Sequence, residues 1–254
     1  MNAKDKYFNQ LQERIKNHPG KPIFDALQVY GASLNFLFGN CNQLRQLLHV
    51  LEDPKDPINF TGFDNRQQRQ NLFDETNRHF HNFLTSITTL VDHTRHLMKR
   101  DFVKKDHQQE YQIAVKTNFA SDPLAQFLQD FRNYITHYAI PSIGFTKQFG
   151  STLADSKPGE LYVDLAHLEK RFNWSAPSRM FIEQNKPKIR MLKLVDDYEM
   201  KARGFTDEFM ALFRKHRGQE LNEVVSLMQE SNDLWTNMIG EMTASPVQKE
   251  QAGP

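Results

Sequence analysis

The sequence predicts an all-α protein: an antiparallel helical bundle with a small β-hairpin insertion and additional C-terminal helices. Three observations carry that expectation. Apolar residues recur at three- and four-residue steps along most of the chain, the repeat of one buried helix face. Glycine and proline number only eleven each in 254 residues, so breaking positions are sparse. Hydrophobic residues make up 39% and charged residues 25%, which suffices for a sizeable core under a solvated surface.

The elements follow in order. A short amphipathic helix is expected over residues 7–15, ended by Pro19-Gly20. A long one over 24–51 carries Leu27, Tyr30, Leu34, Leu37, Leu44, Leu47 and Leu48 on one stripe. Pro54 and Pro57 break it, and a loop through Gly62 leads to the longest helix of the bundle, 66–99, striped by Phe73, Phe80, Phe83, Leu84, Ile87, Leu90 and Leu97. A further helix over 108–119 precedes a fourth long one that begins at Pro123. Long helices joined by short connections pair antiparallel, which gives the bundle.

After Pro141 the pattern changes. Residues 143–149 and 160–163 read as two short strands around a turn containing Gly, Ser and Pro, a hairpin. Asp164 is placed to cap a short helix through Phe172, and Ser175-Ala176-Pro177 to start another. Pro187 is expected to open a long helix with a bend at Gly204, and Gly218 to separate it from a last helix. The resulting organisation is a bundle over 1–141, hairpin and C-terminal helices packing on it over 142–242, and a disordered tail over 243–254.

Composition narrows the function classes. Cys41 is the single cysteine, so no intrachain disulfide and no cysteine-based zinc site can form, and a reducing compartment is the natural reading. No apolar run approaches membrane-spanning length and the N-terminus leads into no long apolar core, so a cytoplasmic location is expected. A net charge of +1 argues against a protein that coats nucleic acid indiscriminately. Two local basic runs stand out, Arg95, Lys99, Arg100, Lys104 and Lys105, and Lys186, Lys188, Arg190 and Lys193; each reads first as a solvated helix face. There is no Gly-rich phosphate loop, EF-hand loop or Gly-x-Ser-x-Gly turn. Asp92, His93 and His96 share a helix face but lack a distant third ligand, so neither metal nor cofactor is expected. The twenty phenylalanines fall mostly at core spacings and read as packing groups.

One stretch looks like chemistry. Asp122 sits at an N-cap with Pro123 at the first helical position, and Leu124, Phe127, Leu128, Phe131 and Ile135 then mark one buried stripe. The same helix carries Arg132, Asn133 and His137, and Pro141 bars its continuation, so His137 belongs to the last turn. There the negative end of the helix dipole favours the imidazolium. The bare spacing is weak: about fourteen arginines among ten histidines give roughly one or two such matches by chance, and Arg100 with His107 is a second one. The capped amphipathic setting is what separates the first from the second. The plainer reading has His137 capping the helix end, Asn133 bonding a neighbouring helix and Arg132 pairing with a carboxylate.

With Phe-Leu-Gln-Asp-Phe-Arg-Asn-Tyr-Ile-Thr-His over 127–137 and the trailing Pro141, the stretch resembles the HEPN family, all-helical proteins marked by an Arg, a polar residue directly after it and a His a few positions on. Arg132, Asn133 and His137 match that pattern residue by residue. Some HEPN toxins place a Tyr two residues after the His; here that position is Ala139, with Tyr138 one residue early. The resemblance implies a metal-independent endoribonuclease, toxin or defence-related, with Arg132, Asn133 and His137 as catalytic residues and RNA as substrate. It also admits a non-catalytic helical protein that binds a partner protein or a nucleotide. A nucleotidyltransferase-like antitoxin is an expected partner in the toxin case. Arg132 and His137 are five apart and diverge by about 140° around the helix, so a composite site is expected to need a homodimer.

Overall fold

The computed structural model describes residues 3–52, 66–101, 105–146, 159–168 and 172–243. Within them the order is α1 (Ala3–Lys16), α2 (Lys21–Glu52), α3 (Arg66–Asp101), α4 (Lys105–Val115), a π-helical turn (Lys116–Ala120), α5 (Pro123–His137), β1 (Ile143–Thr146), β2 (Glu160–Asp164), α6 (Ala176–Asn185), β3 (Lys188–Arg190) and α7 (Met191–Thr243). The protein is predominantly α-helical with one small sheet, the class its periodicity predicts. The loop expected through Gly62, the end of the first expected strand and residues 244–254 of the expected tail lie outside the described residues.

The chain divides into two compact units, one formed by Met1–Val29 with Ala211–Pro254 and the other by Tyr30–Met210. In the first, α1 buries Leu11 and Ile15. Phe8 meets Trp235 of α7 with ring centroids 5.3 Å apart, and the Gln12 amide donates to Ser231 Oγ at 2.6 Å. The turn between α1 and α2 needs its glycine, because a Cβ on Gly20 would stand 2.2 Å from the Glu220 carbonyl oxygen.

The second unit holds the main core. Tyr30, Leu37, Leu44 and Leu48 of α2, Phe80, Phe83 and Leu84 of α3, and Tyr198, Phe205 and Phe209 of α7 are buried there with the stripe of α5. Burying side chains of this size contributes about 1.5–3 kcal/mol each, which is why the stripes and not local propensity decide the fold. Two arginines fasten the C-terminal part of α2. The buried carboxylate of Glu52 accepts from the Leu161 N–H at 3.1 Å and from the Arg190 guanidinium, tying α2 to β2 and β3. Arg45 bonds both Asp196 and Glu199 of α7.

The hairpin is present as an antiparallel pair with Ile143 opposite Val163 and Thr146 opposite Glu160. Its sheet has a third strand: β3 pairs antiparallel with β2 through Val163 opposite Ile189, giving the order β1-β2-β3. Pro187 therefore does not open a helix. Its carbonyl accepts the N–H groups of Leu165 and Ala166, and α7 starts only at Met191. Asp164 caps a turn instead of a helix among the described residues, with its Oδ1 accepting from Ala166 and His167. Gly218 does not separate two helices: α7 runs through it as one helix of 53 residues. A glycine in a helix interior costs only about 1 kcal/mol, less than the burial of Phe205, Phe209, Phe213 and Val224 contributes.

Candidate functional site

The helix that bears Arg132, Asn133 and His137 starts as its sequence dictates. Asp122 is extended at φ −83° and ψ 122°, its Oδ1 accepts the Ala125 N–H at 2.9 Å, and Pro123 follows at the first helical position. Its second carboxylate oxygen pairs with Lys201 Nζ at 2.8 Å. At the other end, the N–H groups of Tyr138 and Ala139 both return to the Tyr134 carbonyl, which stops the helix after His137.

The buried side of α5 is aromatic. Phe127 stacks on Phe131 at 5.0 Å and on Phe181 of α6 at 4.7 Å, while Phe131 meets Phe80 of α3 at 5.7 Å. Tyr134 packs between Trp174 and Phe172, at 5.4 and 5.3 Å. It is Tyr134 that is buried here and Ile135 that is half-buried, the reverse of the expected stripe, because the aromatic residues ahead of α6 draw that side of the helix inward. Asp130 adds a polar clamp: its Oδ2 accepts the Ser175 N–H at 2.8 Å and the Ser178 hydroxyl at 2.6 Å, so the capping segment of α6 is hung on α5. Neither Trp174 nor Asp130 stood out in the sequence, since each owes its role to a partner more than forty positions away or to a loop.

Anchored on that side, α5 turns its last two turns outward. His137 is exposed, and Arg132 and Asn133 are half-buried. At about 100° per residue, Arg132, Thr136, Asn133 and His137 occupy one continuous arc of about 140° opposite the aromatic stripe, with Thr136 and Asn133 between Arg132 and His137. Arg132 Nη1 donates to Asn133 Oδ1 at 3.2 Å, and Thr136 Oγ1 donates to the Arg132 carbonyl at 2.8 Å. Arg132 Nε is buried and has no hydrogen-bond partner among the described residues. No described carboxylate lies within ion-pair distance of Arg132, and Asn133 is engaged with Arg132. A half-buried cation held by a neutral amide, with unused donors, suits an anionic oxygen such as that of a phosphate.

The second basic run is otherwise employed. Lys186 pairs with Glu183 and Lys193 with Asp197, both at 2.5 Å; Lys188 lies 4.4 Å over the Tyr162 ring, and Arg190 is bound to Glu52. In the first run Arg95 is exposed and pairs with Asp92 at 3.3 Å, while Lys104 and the side chain of Lys105 lie outside the described residues. No group of three metal-ligating side chains occurs among the described residues. None of the described helices is long and apolar enough to cross a membrane.

Searches of protein-family models, of curated proteins and of solved structures all yield no match to this chain.

Proposed function

We propose that the protein is a metal-independent endoribonuclease of HEPN type, with a toxin or defence role in the cytoplasm, cleaving RNA through Arg132 and His137. The observation that carries the reading is the outward arc at the end of α5, where an exposed His137 accompanies an Arg132 whose guanidinium is held by Asn133 and by no carboxylate among the described residues. The arrangement offers groups that phosphodiester transesterification uses. His137 takes the proton of an RNA 2′-hydroxyl as that oxygen attacks phosphorus, the bond to the 5′-oxygen breaks, and a protonated His137 of a second protomer returns a proton to the leaving oxygen. Arg132 stabilises the charge that develops on the phosphoryl oxygens. Asn133 orients the guanidinium. The products are a 2′,3′-cyclic phosphate and a 5′-hydroxyl. Because Arg132 and His137 diverge around one helix, the reading requires a homodimer that faces two such arcs across one cleft.

The test pairs a mass measurement with an RNA cleavage assay in EDTA. A dimer that yields cyclic-phosphate ends without divalent ion is the expected result; cleavage abolished by EDTA and restored by magnesium or manganese overturns it.

A second reading is favoured by one observation: Tyr138 is 50% exposed and Ile140 75% exposed directly beside His137. Apolar side chains at a helix end suit a non-catalytic protein that docks a partner protein or a nucleotide there, a nucleotidyltransferase-like antitoxin among the partners. Growth arrest in bacteria by the wild-type chain but by neither His137→Ala nor Arg132→Ala supports the nuclease. Harmless expression of all three, without RNA cleavage in vitro, supports the docking protein.

A further inference from the structure

Within the Tyr30–Met210 unit, α3, α4, the π-helical turn, α5 and α7 enclose a cavity of about 110 Å³. Its walls are aromatic. Phe119 of the π turn meets Phe205 edge-on at 4.8 Å and Tyr198 at 6.2 Å, and Tyr111 of α4 meets Phe205 at 6.4 Å. Aliphatic side chains of α3, Ile87, Leu90 and Val91, complete the apolar lining. The space persists because small side chains face it where larger ones would fill it, chiefly Ala125 of α5 and Thr88 of α3.

The backbone next to the cavity is itself unusual. Between Lys116 and Ala120 the chain widens into a π turn, closed by the Ser121 N–H on the Lys116 carbonyl at 3.4 Å. The Gln126 side-chain amide braces this turn by donating to the Phe119 carbonyl at 3.2 Å. Empty volume in a core lowers stability in proportion to its size, and π turns recur at functional sites.

The mouth is polar and carries one charge of each sign. Asp92 and Arg95, one turn apart on α3, pair at 3.3 Å with both side chains more than half exposed, and Gln129 of α5 stands at the same rim. Size and chemistry together narrow the occupant. A closed core cavity of about 150 Å³ accepts one benzene ring, so this smaller space of about 110 Å³, open at its mouth, takes at most one ring with its substituent toward the opening. Aromatic edges and faces around it favour a ring over an alkyl chain. At the mouth a hydroxyl can donate to the Asp92 carboxylate while accepting from the Arg95 guanidinium. A carboxylate there would meet Asp92, and an ammonium would meet Arg95, each a like-charge contact.

We propose that this cavity is a binding site for a single-ring phenol, the ring lodged among Tyr111, Phe119, Tyr198 and Phe205 and the hydroxyl set between Asp92 and Arg95. The site is separate from Arg132 and His137, and its test does not depend on RNA cleavage.

The full chain is titrated with phenol and with toluene at millimolar concentration, following ligand saturation transfer by NMR and the thermal unfolding midpoint. Phenol is expected to bind the wild type about tenfold more tightly than toluene, the worth of one or two well-placed hydrogen bonds. Ala125→Leu fills the cavity and is expected to abolish binding of both probes while circular dichroism stays helical. Asp92→Asn sits at the exposed mouth and leaves the core intact; it is expected to weaken phenol several-fold and leave toluene unchanged. Absence of phenol binding to the wild type overturns the proposal. So does equal binding of phenol to wild type and Ala125→Leu, or, should that variant fail to fold, equal binding of phenol to wild type and Asp92→Asn.

Discussion

The guanidinium of Arg132 donates from Nη1 to Oδ1 of its neighbour Asn133 at 3.2 Å, while its buried Nε finds no partner among the described residues. Adjacent residues on a helix point about 100° apart, so this contact relies on the reach of the long arginine side chain. The consequence is directional: Asn133 sets where the remaining Nη donors aim. Asn133→Ala should leave the fold intact, because the side chain is half-buried and contributes nothing to the aromatic stripe. On the proposed reading it lowers RNA cleavage by about tenfold, the worth of one charge-assisted orienting bond, through kcat more than KM. Asn133→Asp, which converts the contact to an ion pair and neutralises Arg132 toward phosphate, is expected to be the more damaging of the two.

His137 lies at the helix end, exposed and free of the core, so its replacement separates chemistry from stability cleanly. His137→Ala should change the unfolding free energy by no more than about 0.5 kcal/mol, as surface substitutions do. On the proposed reading, loss of His137 as general acid–base lowers cleavage by about 10²- to 10⁴-fold. A cleavage assay beside urea unfolding checks both halves of that expectation, and a variant that cleaves like the wild type removes His137 from the mechanism.

Asp130 holds the outward-facing turns in place from behind. One carboxylate oxygen accepts both the Ser175 N–H and the Ser178 hydroxyl, linking α5 to the cap of α6 across 45 and 48 positions of sequence. Asp130→Ala leaves those donors part-buried without their acceptor, at a cost of about 1–3 kcal/mol. Urea unfolding should show the loss, and hydrogen exchange should show it concentrated in the first turn of α6. An Asp130→Ala protein as stable as the wild type would mean that the aromatic packing of Trp174 and Phe181 alone holds the two helices.

These elements also mark how far the sequence carries. The Asp122-Pro123 start was legible because capping is local: one side chain, one N–H three residues on. The hairpin was legible because two short strand-like runs flank a Gly/Ser/Pro turn, and in β2 burial alternates through Leu161 and Val163. Strand β3 was not, since three residues between Pro187 and Met191 become a strand only by pairing with residues 162–164. Gly218 misled because its small intrinsic cost is outweighed by packing that no local rule contains. Of the candidate site, the three residue types and their order on the helix were legible, and so was the 140° divergence. The Arg132–Asn133 contact and the commitment of Lys186, Lys188, Arg190 and Lys193 to other partners depend on side-chain reach and on distant elements, which spacing does not encode.

The carboxylate of Glu199, nearly buried on α7, supplies a test by pH. Burial pushes its titration upward, but hydrogen bonds from Arg45 of α2 and from Arg203 outweigh burial and hold the group below the ordinary glutamate value. Arg203 donates through two nitrogens at 2.9 and 2.6 Å and lies 4.0 Å over the Phe38 ring, which keeps the guanidinium in place. A carboxyl whose value is depressed on folding binds fewer protons in the native state than in the unfolded chain. Its contribution to stability is therefore fully present above the unfolded value of about 4.3 and is lost as pH falls through the lower native one. At neutral pH, Glu199→Gln should cost about 1–3 kcal/mol, the worth of hydrogen bonds to a charged group at a mostly buried position. Urea unfolding of wild type and Glu199→Gln, repeated from about pH 6 down to about pH 3, should show the gap between them closing toward the acid end. A gap that stays constant across that range would assign the loss to packing of the side chain and not to its charge.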